Sequence, residues 1–425
     1  MVSTVTCQEQ GTPRSERWSP PFLVSSEDLS FLEARSSQEQ IEIERISSME
    51  IRVAGRKYCG RIRLPSGRWL QIQSKVPPAR IMDWLVYSRT IPSLESWIDA
   101  PMLDVGTDAA TALAALFLHE LSILTNFHLR PGYCVVSQVR RAFRGRLVER
   151  KLARESRQLP ALPCAFRDRT MSTVQNCVLA RALDACWRLG VQNALRDESR
   201  CQLERLNAQW AGIERTLSSV HHALTVAVAC PPVGYRNALQ LARMLMVGAG
   251  FDLAGGDGGD SFLVSMAGIF ERALRRMAAQ WARRNGWASM SSSARTRFWD
   301  DAPRKRSFIA DVMVQHPSHE RIILDAKYKC GYGHESREDC FQMCAYLLAF
   351  KARTALLVYP TGMGNPRTLL QSDLVPSGAT ILSMELPMAK GPAECEAQMR
   401  QIMNQVADDH VLGEGSMHAT LQRIS

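Results

Sequence analysis

The spacing of hydrophobic and polar positions changes along the chain, and each change marks a new kind of element. Between residues 41 and 75 apolar and polar residues alternate, through IEIERI, IRVAGRKYCGRIRL and GRWLQIQSKV. A period of two predicts half-buried strands, with Gly60 and Pro65-Ser66-Gly67 supplying the turns. ARIMDWLVYSR shifts to helical spacing, placing Ile81, Trp84, Leu85 and Ser88 on one face. A long apolar helix is predicted over residues 108–130, ended by Pro131-Gly132-Tyr133. YCVVSQVRRAF reads as a strand. MSTVQNCVLARALDACWRLG, ESRCQLERLNAQWAGIERTLSSV and YRNALQLARMLMVGAG read as helices. Past a Gly- and Asp-rich stretch, FLVSMAGIFERALRRMAAQWARR reads as a helix. SFIADVMVQ and RIILDAKYK follow as strands joined by the polar turn HPSHE, then SREDCFQMCAYLLAFK as a helix and TALLVYP as a strand. Edge elements and a polar tail are expected after about residue 366.

These segments predict a flexible arm over 1–40, a β-rich module over 41–105 and a mostly helical middle over 106–247. A linker spans 248–261, an α/β domain with a mixed central sheet flanked by helices spans 262–390, and a C-terminal helix and tail spans 391–425. A chain of 425 residues is long enough for two or three such cores. No run approaches eighteen consecutive apolar residues and the N-terminus lacks an apolar signal core, so a cytoplasmic protein without a membrane partner is expected.

Composition narrows the chemistry only modestly. The net charge of +10 is carried mainly by arginine, with eight lysines, which suits a polyanionic partner. Arginine in place of lysine is also what a GC-rich genome produces. The twelve cysteines form no C-x-x-C pair and read as reduced thiols. Cys330, His334, Cys340 and Cys344 straddle a loop and a helix without a paired knuckle, which argues against structural zinc. No G-x-x-x-x-G-K-[ST] loop occurs, and Asp252, Asp257 and Asp260 lack EF-hand spacing.

The candidate chemistry lies in the late hairpin. Asp311 interrupts one apolar strand, and Asp325 and Lys327 interrupt the next. A strand repeats every two residues, so Asp325 and Lys327 share a face, and antiparallel pairing can bring Asp311 beside Asp325. Carboxylates and an amine at the end of an apolar hairpin are costly unless they are paired or bind a cation. Mg²⁺ fits, because it uses few carboxylates and accepts phosphate oxygens. Glu271 flanks the apolar side of the preceding helix and could complete the ion's shell. The bland alternative is a solvated pair with Arg275 at i+4. Gln342 and Tyr346 lie one turn apart on the following helix, where Ser336-x-x-Asp339 resembles a capping box. An ordinary buried Asp–Lys pair and a surface Gln remain the competing readings.

Together FLVSMAGIFE, ADVMV, ILDAKYK, EDCFQMCAYLLAF and LLVYP, in that order, resemble the McrC family, nuclease subunits of two-component systems that cut modified DNA. GRIRLPSGRWLQIQSKV, FRGRL and the run from Cys164 through Asn176 to Leu183 extend the likeness upstream, so that it covers about residues 50–365. The resemblance implies a restriction-endonuclease-like, PD-(D/E)XK fold for the C-terminal domain. It implies Glu271, Asp311 and Asp325 as metal ligands, Lys327 as a catalytic residue beside them, and Gln342 and Tyr346 as a supporting Q-x-x-x-Y helix. It further implies Mg²⁺, double-stranded DNA, and a hexameric AAA+ GTPase of the McrB type that reads modified cytosine and docks on the N-terminal module. Ala310 stands where the family motif usually has proline, a departure that touches strand shape rather than ligation. Two other readings stay open: a non-catalytic activator of an AAA+ partner, and a structural DNA-binding protein.

Overall fold

The computed structural model of the chain describes residues 4–9, 17–90, 109–127, 129–148, 162–188, 195, 197–217, 219–247, 262–291, 295–297, 307–329, 335–360, 367–371 and 379–412. The chain divides into two compact units. One comprises residues 1–98, 102–112 and 248–425, and the other comprises 99–101 and 113–247.

In the first unit, β1 (Thr4–Gln8), β5 (Tyr58–Arg63), β6 (Trp69–Gln73) and β10 (Phe262–Ser265) form a sheet in the order β1-β6-β5-β10. β2 (Phe22–Leu23), β3 (Ile41–Arg45) and β4 (Glu50–Gly55) form a second sheet, and α1 (Ser26–Ser37) packs on β3. Ser25 starts α1 by accepting a hydrogen bond from Asp28 N at 3.0 Å. Cys7, Val24, Leu32, Ile41, Ile51, Val53, Ile62, Leu70 and Ile72 share one core between these elements. The expectation of a flexible arm over 1–40 is therefore corrected for its described residues. β1 pairs with β6 along its whole length, and Leu32 is fully buried, so this stretch contributes apolar surface that the small sheets require.

Two further corrections concern β10. FLVS does not begin the helix but forms a strand, antiparallel to β5. Gly60 is not a turn residue: it lies inside β5 with φ of +138°, and an added Cβ would sit 2.0 Å from the Phe262 carbonyl oxygen. Glycine is needed where a strand arriving two hundred residues later comes this close. Pro65-Ser66-Gly67 does form a turn, with Gly67 at φ +83° and its N–H donating to Leu64 O at 2.8 Å.

The later part of this unit is a mixed α/β layer structure. β11 (Ala288–Ser291), β14 (Val312–Gln315), β15 (Arg321–Ala326), β16 (Thr354–Tyr359), β17 (Arg367–Gln371) and β18 (Thr380–Glu385) make a six-stranded sheet in the order β11-β14-β15-β16-β18-β17. β15, β16 and β18 run parallel to one another, and the remaining pairings are antiparallel. A two-stranded ribbon of β12 (Arg295–Arg297) and β13 (Ser307–Ile309) precedes β14. α8 (Met266–Arg284) packs on β14 and β15, and α9 (Arg337–Phe350) packs on β15, β16 and β18. Ile323, Leu357 and Ile381 join Met343, Leu347 and Phe350 of α9 in one core that includes no residue of α8. The two helices therefore cover opposite faces. β18 corrects the expectation that only edge elements follow residue 366: it is an inner strand with five of its six residues buried. α2 (Pro78–Tyr87) and α10 (Pro392–Leu412) pack on α8, and Trp84 Nε1 donates to Met388 O at 2.9 Å.

The second unit contains the sheet β7-β9-β8, formed by β7 (Gly132–Arg140), β8 (Arg146–Leu147) and β9 (Leu162–Thr170). Its helices are most of α3 (Ala109–Asn126), then α4 (Val174–Arg188), α5 (Asp197–Gln209), α6 (Val220–Ala229) and α7 (Arg236–Val247). α4 packs on α6 and α7. The expected linker over 248–261 lies outside the described residues. Among the described residues no helix is long and apolar enough to cross a membrane.

Candidate active site

The site forms where the β14–β15 hairpin leaves its ladder. Pairing ends at Val312 against Leu324, which places Asp311 abreast of Asp325 just past the last pair. Asp311 Oδ2 accepts the Ala326 N–H at 2.9 Å, tying the two strand ends together. The period of two puts Asp325 on the same face as Ile323, beneath α9. Lys327 continues that face, and its N–H donates to Val358 O at 2.9 Å, holding its backbone against β16.

α9 delivers the polar partners. Ser336 caps it by accepting from Asp339 N at 3.2 Å. Lys327 Nζ lies 2.6 Å from Asp325 Oδ2 and donates to Gln342 Oε1 at 2.7 Å. Gln342 Nε2 reaches Asp325 Oδ1 at 3.3 Å and Tyr346 Oη at 2.7 Å, and Tyr346 donates onward to Ile309 O at 2.8 Å. One amide thus joins the amine, the carboxylate and the phenol. Ala310 is fully buried in the core beneath α9.

Glu271 approaches from α8. It pairs with Arg275 one turn on, and Arg275 Nε donates to Asp311 O at 3.1 Å. Arg275, which the sequence offers only as a solvated partner, therefore bridges helix and strand. Asp339 reaches beyond the start of its helix. Its carboxylate lies 2.5 Å from Lys329 Nζ and 3.7 Å from Lys327 Nζ, and it also hydrogen-bonds the side chain of the cap residue Ser336. The signal was available, because Asp339, Gln342 and Tyr346 recur at three and four residues on one helical face.

Burial pushes the Asp325 carboxyl up to about 6. The Lys327 ammonium opposes this, and the like charges of Asp311 and Asp339 add to it. Glu271 is raised by burial and then by Asp311, against the pull of Arg275. Burial alone would lower the Lys327 amine, but Asp325, Asp339 and Asp311 outweigh it and hold the amine above its usual value. Asp325, Asp311 and Asp339 thus repel one another around the Lys327 ammonium, with Lys329 as a second cation for Asp339.

The donor set consists of carboxylate oxygens, which suit a hard cation, and the repulsion between Asp311 and Asp325 is what such a cation relieves. Mg²⁺ is commonly held by one or two carboxylates with waters and phosphate oxygens, and Asp311 and Asp325 fit that role. Glu271 is turned onto Arg275 instead. Among the described residues no group of three or more His, Cys, Asp or Glu is placed to hold an ion. Of the Cys330, His334, Cys340 and Cys344 quartet, the first two lie outside the described residues, and Cys340 and Cys344 are half-buried on α9.

Comparisons with known proteins bear on the chain as a whole. A chain in the refined half-complex of the tetradecameric assembly of Thermococcus gammatolerans McrB AAA+ hexamers with bound McrC has a similar fold. It has a TM-score of 0.65 and 12% identity, covering 95% of this chain and 100% of that one. A chain of the cryo-EM structure of the Thermococcus gammatolerans McrBC complex aligns with a TM-score of 0.43 and 15% identity, covering 66% of this chain and 88% of that one. No curated protein matches. The family model described as "McrBC 5-methylcytosine restriction system component" matches residues 53–360, a span that holds every candidate residue from Glu271 to Tyr346. With more than half of its length matched, the chain belongs to the McrBC 5-methylcytosine restriction system component family.

Proposed function

We propose that this chain is the nuclease subunit of its restriction system: a restriction-endonuclease-like, Mg²⁺-dependent enzyme that hydrolyses DNA phosphodiester bonds when engaged by an AAA+ GTPase of the McrB type. The observation that carries the reading is the gathering of Asp311, Asp325, Lys327 and Gln342 at the open end of one hairpin. The similarity in fold to a chain from an assembly of McrB hexamers with bound McrC supports the partner. The basic balance of +10 supports a polyanionic substrate, here double-stranded DNA whose modified cytosine the motor reads.

Each residue has a definable task. Asp311 and Asp325 would hold the ion, with Glu271 able to join them once released from Arg275. An ion held there would supply Lewis-acid polarisation of the scissile phosphate and a more acidic water. Lys327 remains an ammonium because three carboxylates surround it, and it offers its protons to charge that develops on the phosphate oxygens. Gln342 fixes the Lys327 amine and the Asp325 carboxylate relative to each other, and Tyr346 anchors Gln342 to the strand before Asp311.

The test combines the purified chain, its AAA+ GTPase partner, GTP, Mg²⁺ and a plasmid carrying methylated cytosine. Cleavage is expected, and its loss in Asp325→Ala and in Lys327→Ala, with folding and partner binding retained. Full cleavage by either variant would remove that residue from the mechanism. One observation favours a second reading, a non-catalytic activator: Glu271 is closed on Arg275 and no three-carboxylate set is formed among the described residues. Stimulated GTP hydrolysis with no nicking at any Mg²⁺ concentration would support it.

A further inference from the structure

Lys327 is followed by Tyr328, a residue with no part in the chemistry above, and Tyr328 is tied to the other end of the chain. It is 5% exposed, and its hydroxyl donates to Glu9 Oε1 at 2.9 Å. Glu9 follows β1 directly, is fully buried, and accepts at the same oxygen from Ser74 Oγ at 2.7 Å and Lys75 N at 2.8 Å. Its own N–H donates to Gln73 O at 2.9 Å. The carboxylate is therefore fixed by the ends of two neighbouring strands, β1 and β6. The Tyr328 ring lies between the Lys75 ammonium, 4.1 Å from its centroid, and Phe270, 6.1 Å centre to centre. Phe270 precedes Glu271. One aromatic side chain thus touches the neighbour of one candidate ligand and is itself the neighbour of the candidate amine.

Adjacent residues at the end of a strand project to opposite sides, so the two side chains cannot be set independently. Lys327 points toward α9, and Tyr328 points back toward α8 and the N-terminal sheet. If Tyr328 shifts, the peptide carrying Lys327 must rotate with it. Such a rotation acts on an amine seated between contacts of 2.6 and 2.7 Å. Burying an ionisable carboxyl such as Glu9 is costly and unnecessary for packing alone, since an apolar side chain would fill the space at less cost.

We propose that Tyr328, held by Glu9, is a positioning residue: its hydroxyl-to-carboxylate contact sets the direction of the chain at the end of β15 and so aims the Lys327 amine. The proposal rests on the nuclease reading for its kinetic test, and has a second test that does not. Residues 4–9 thereby belong to the support of the site rather than to a dispensable arm.

The experiment uses the full chain. Tyr328→Phe removes one hydroxyl and leaves the ring between Lys75 and Phe270. Glu9→Gln keeps an acceptor oxygen at the same place, whereas Glu9→Ala removes it. In the plasmid assay with the AAA+ partner, Tyr328→Phe and Glu9→Ala are expected to lower kcat by about tenfold with KM for DNA unchanged, and Glu9→Gln to restore most of it. Without metal, partner or DNA, the ¹³Cε resonance of Lys327 among the eight lysines, assigned with Lys327→Arg, is expected to move in Tyr328→Phe and to return near its place in Glu9→Gln. An unmoved Lys327 signal with wild-type kcat would overturn the proposal. So would loss of the fold in Tyr328→Phe, which would make the contact structural, or failure of Glu9→Gln to rescue. If the wild-type chain cleaves nothing, the nuclease reading falls, and the Lys327 resonance still decides the positioning claim.

Discussion

Substituting Asp325 by Asn should stabilise the protein in alkaline solution and leave it nearly unchanged in acid. Asp325 is 2% exposed and its carboxyl titrates near pH 6, about two units above the usual carboxylate range, chiefly because it is buried. At about 1.36 kcal/mol per unit, holding it ionised in the fold costs on the order of 3 kcal/mol. The sign follows from proton binding. Between about pH 4 and pH 6 the folded chain binds more protons than the unfolded chain. The contribution of Asp325 to stability is therefore full below about pH 4 and is lost as pH rises through 6. Asparagine resembles the protonated acid, so Asp325→Asn escapes this loss. The assay is denaturant unfolding of both proteins at pH 3.5, pH 5 and pH 8 in chelator, followed by tryptophan fluorescence. A gain for the variant is expected at pH 8, about half of it at pH 5, and little difference at pH 3.5. Adding Mg²⁺ at pH 8 should then stabilise the wild type and not the variant, by an amount set by ion concentration over Kd. Equal destabilisation of the variant at pH 3.5 and pH 8 would refute the reasoning. It would mean that the Lys327 ion pair outweighs burial, and that the site carries no excess negative charge for an ion to relieve.

Other consequences are smaller in scope. Tyr346→Phe removes the donor to Ile309 O and the acceptor for Gln342, and should cost about 1–2 kcal/mol in urea unfolding; cleavage should fall because Gln342 loses its anchor. Glu271→Gln should raise the Mg²⁺ concentration needed for half-maximal cleavage more than it lowers the rate at saturating ion, and equal loss at all concentrations would place Glu271 in the chemistry itself. Gly60→Ala should destabilise the first unit severely, measured by thermal unfolding, because its Cβ would meet the Phe262 carbonyl at 2.0 Å in a conformation that L-residues rarely adopt.

The parts of the fold set by local spacing could be read directly. Asp325-Ala326-Lys327 after an apolar run gives a shared strand face whatever surrounds it, and the Ser336 cap needs only its own helix. What escaped was set by distant partners. FLVS is apolar enough for either helix or strand, and only the waiting edge of β5 decides between them. Gly60 looks like a turn residue until the approach of Phe262 gives it another reason to be glycine. Residues 4–8 carry too few apolar side chains to announce a strand, and they become one because β6 offers unpaired backbone groups. In the site, the hairpin chemistry was legible from spacing. Asp339 shares a helical face with Gln342 and Tyr346, a spacing that its place in a capping pattern masked, and Glu9 was not legible, because 319 positions separate it from Tyr328.

The pairing of β10 with β5 has a bearing on synthesis. Residues 113–247 form a separate unit that interrupts the first one, and β10 lies beyond that interruption. While the ribosome is still making the intervening helices, β5 stands as a bare border of an otherwise complete sheet. A border of that kind recruits strands from other chains. A fragment ending before residue 262 should therefore self-associate through β5, and expression trials that trim the chain from its C-terminus should yield insoluble product once β10 is lost.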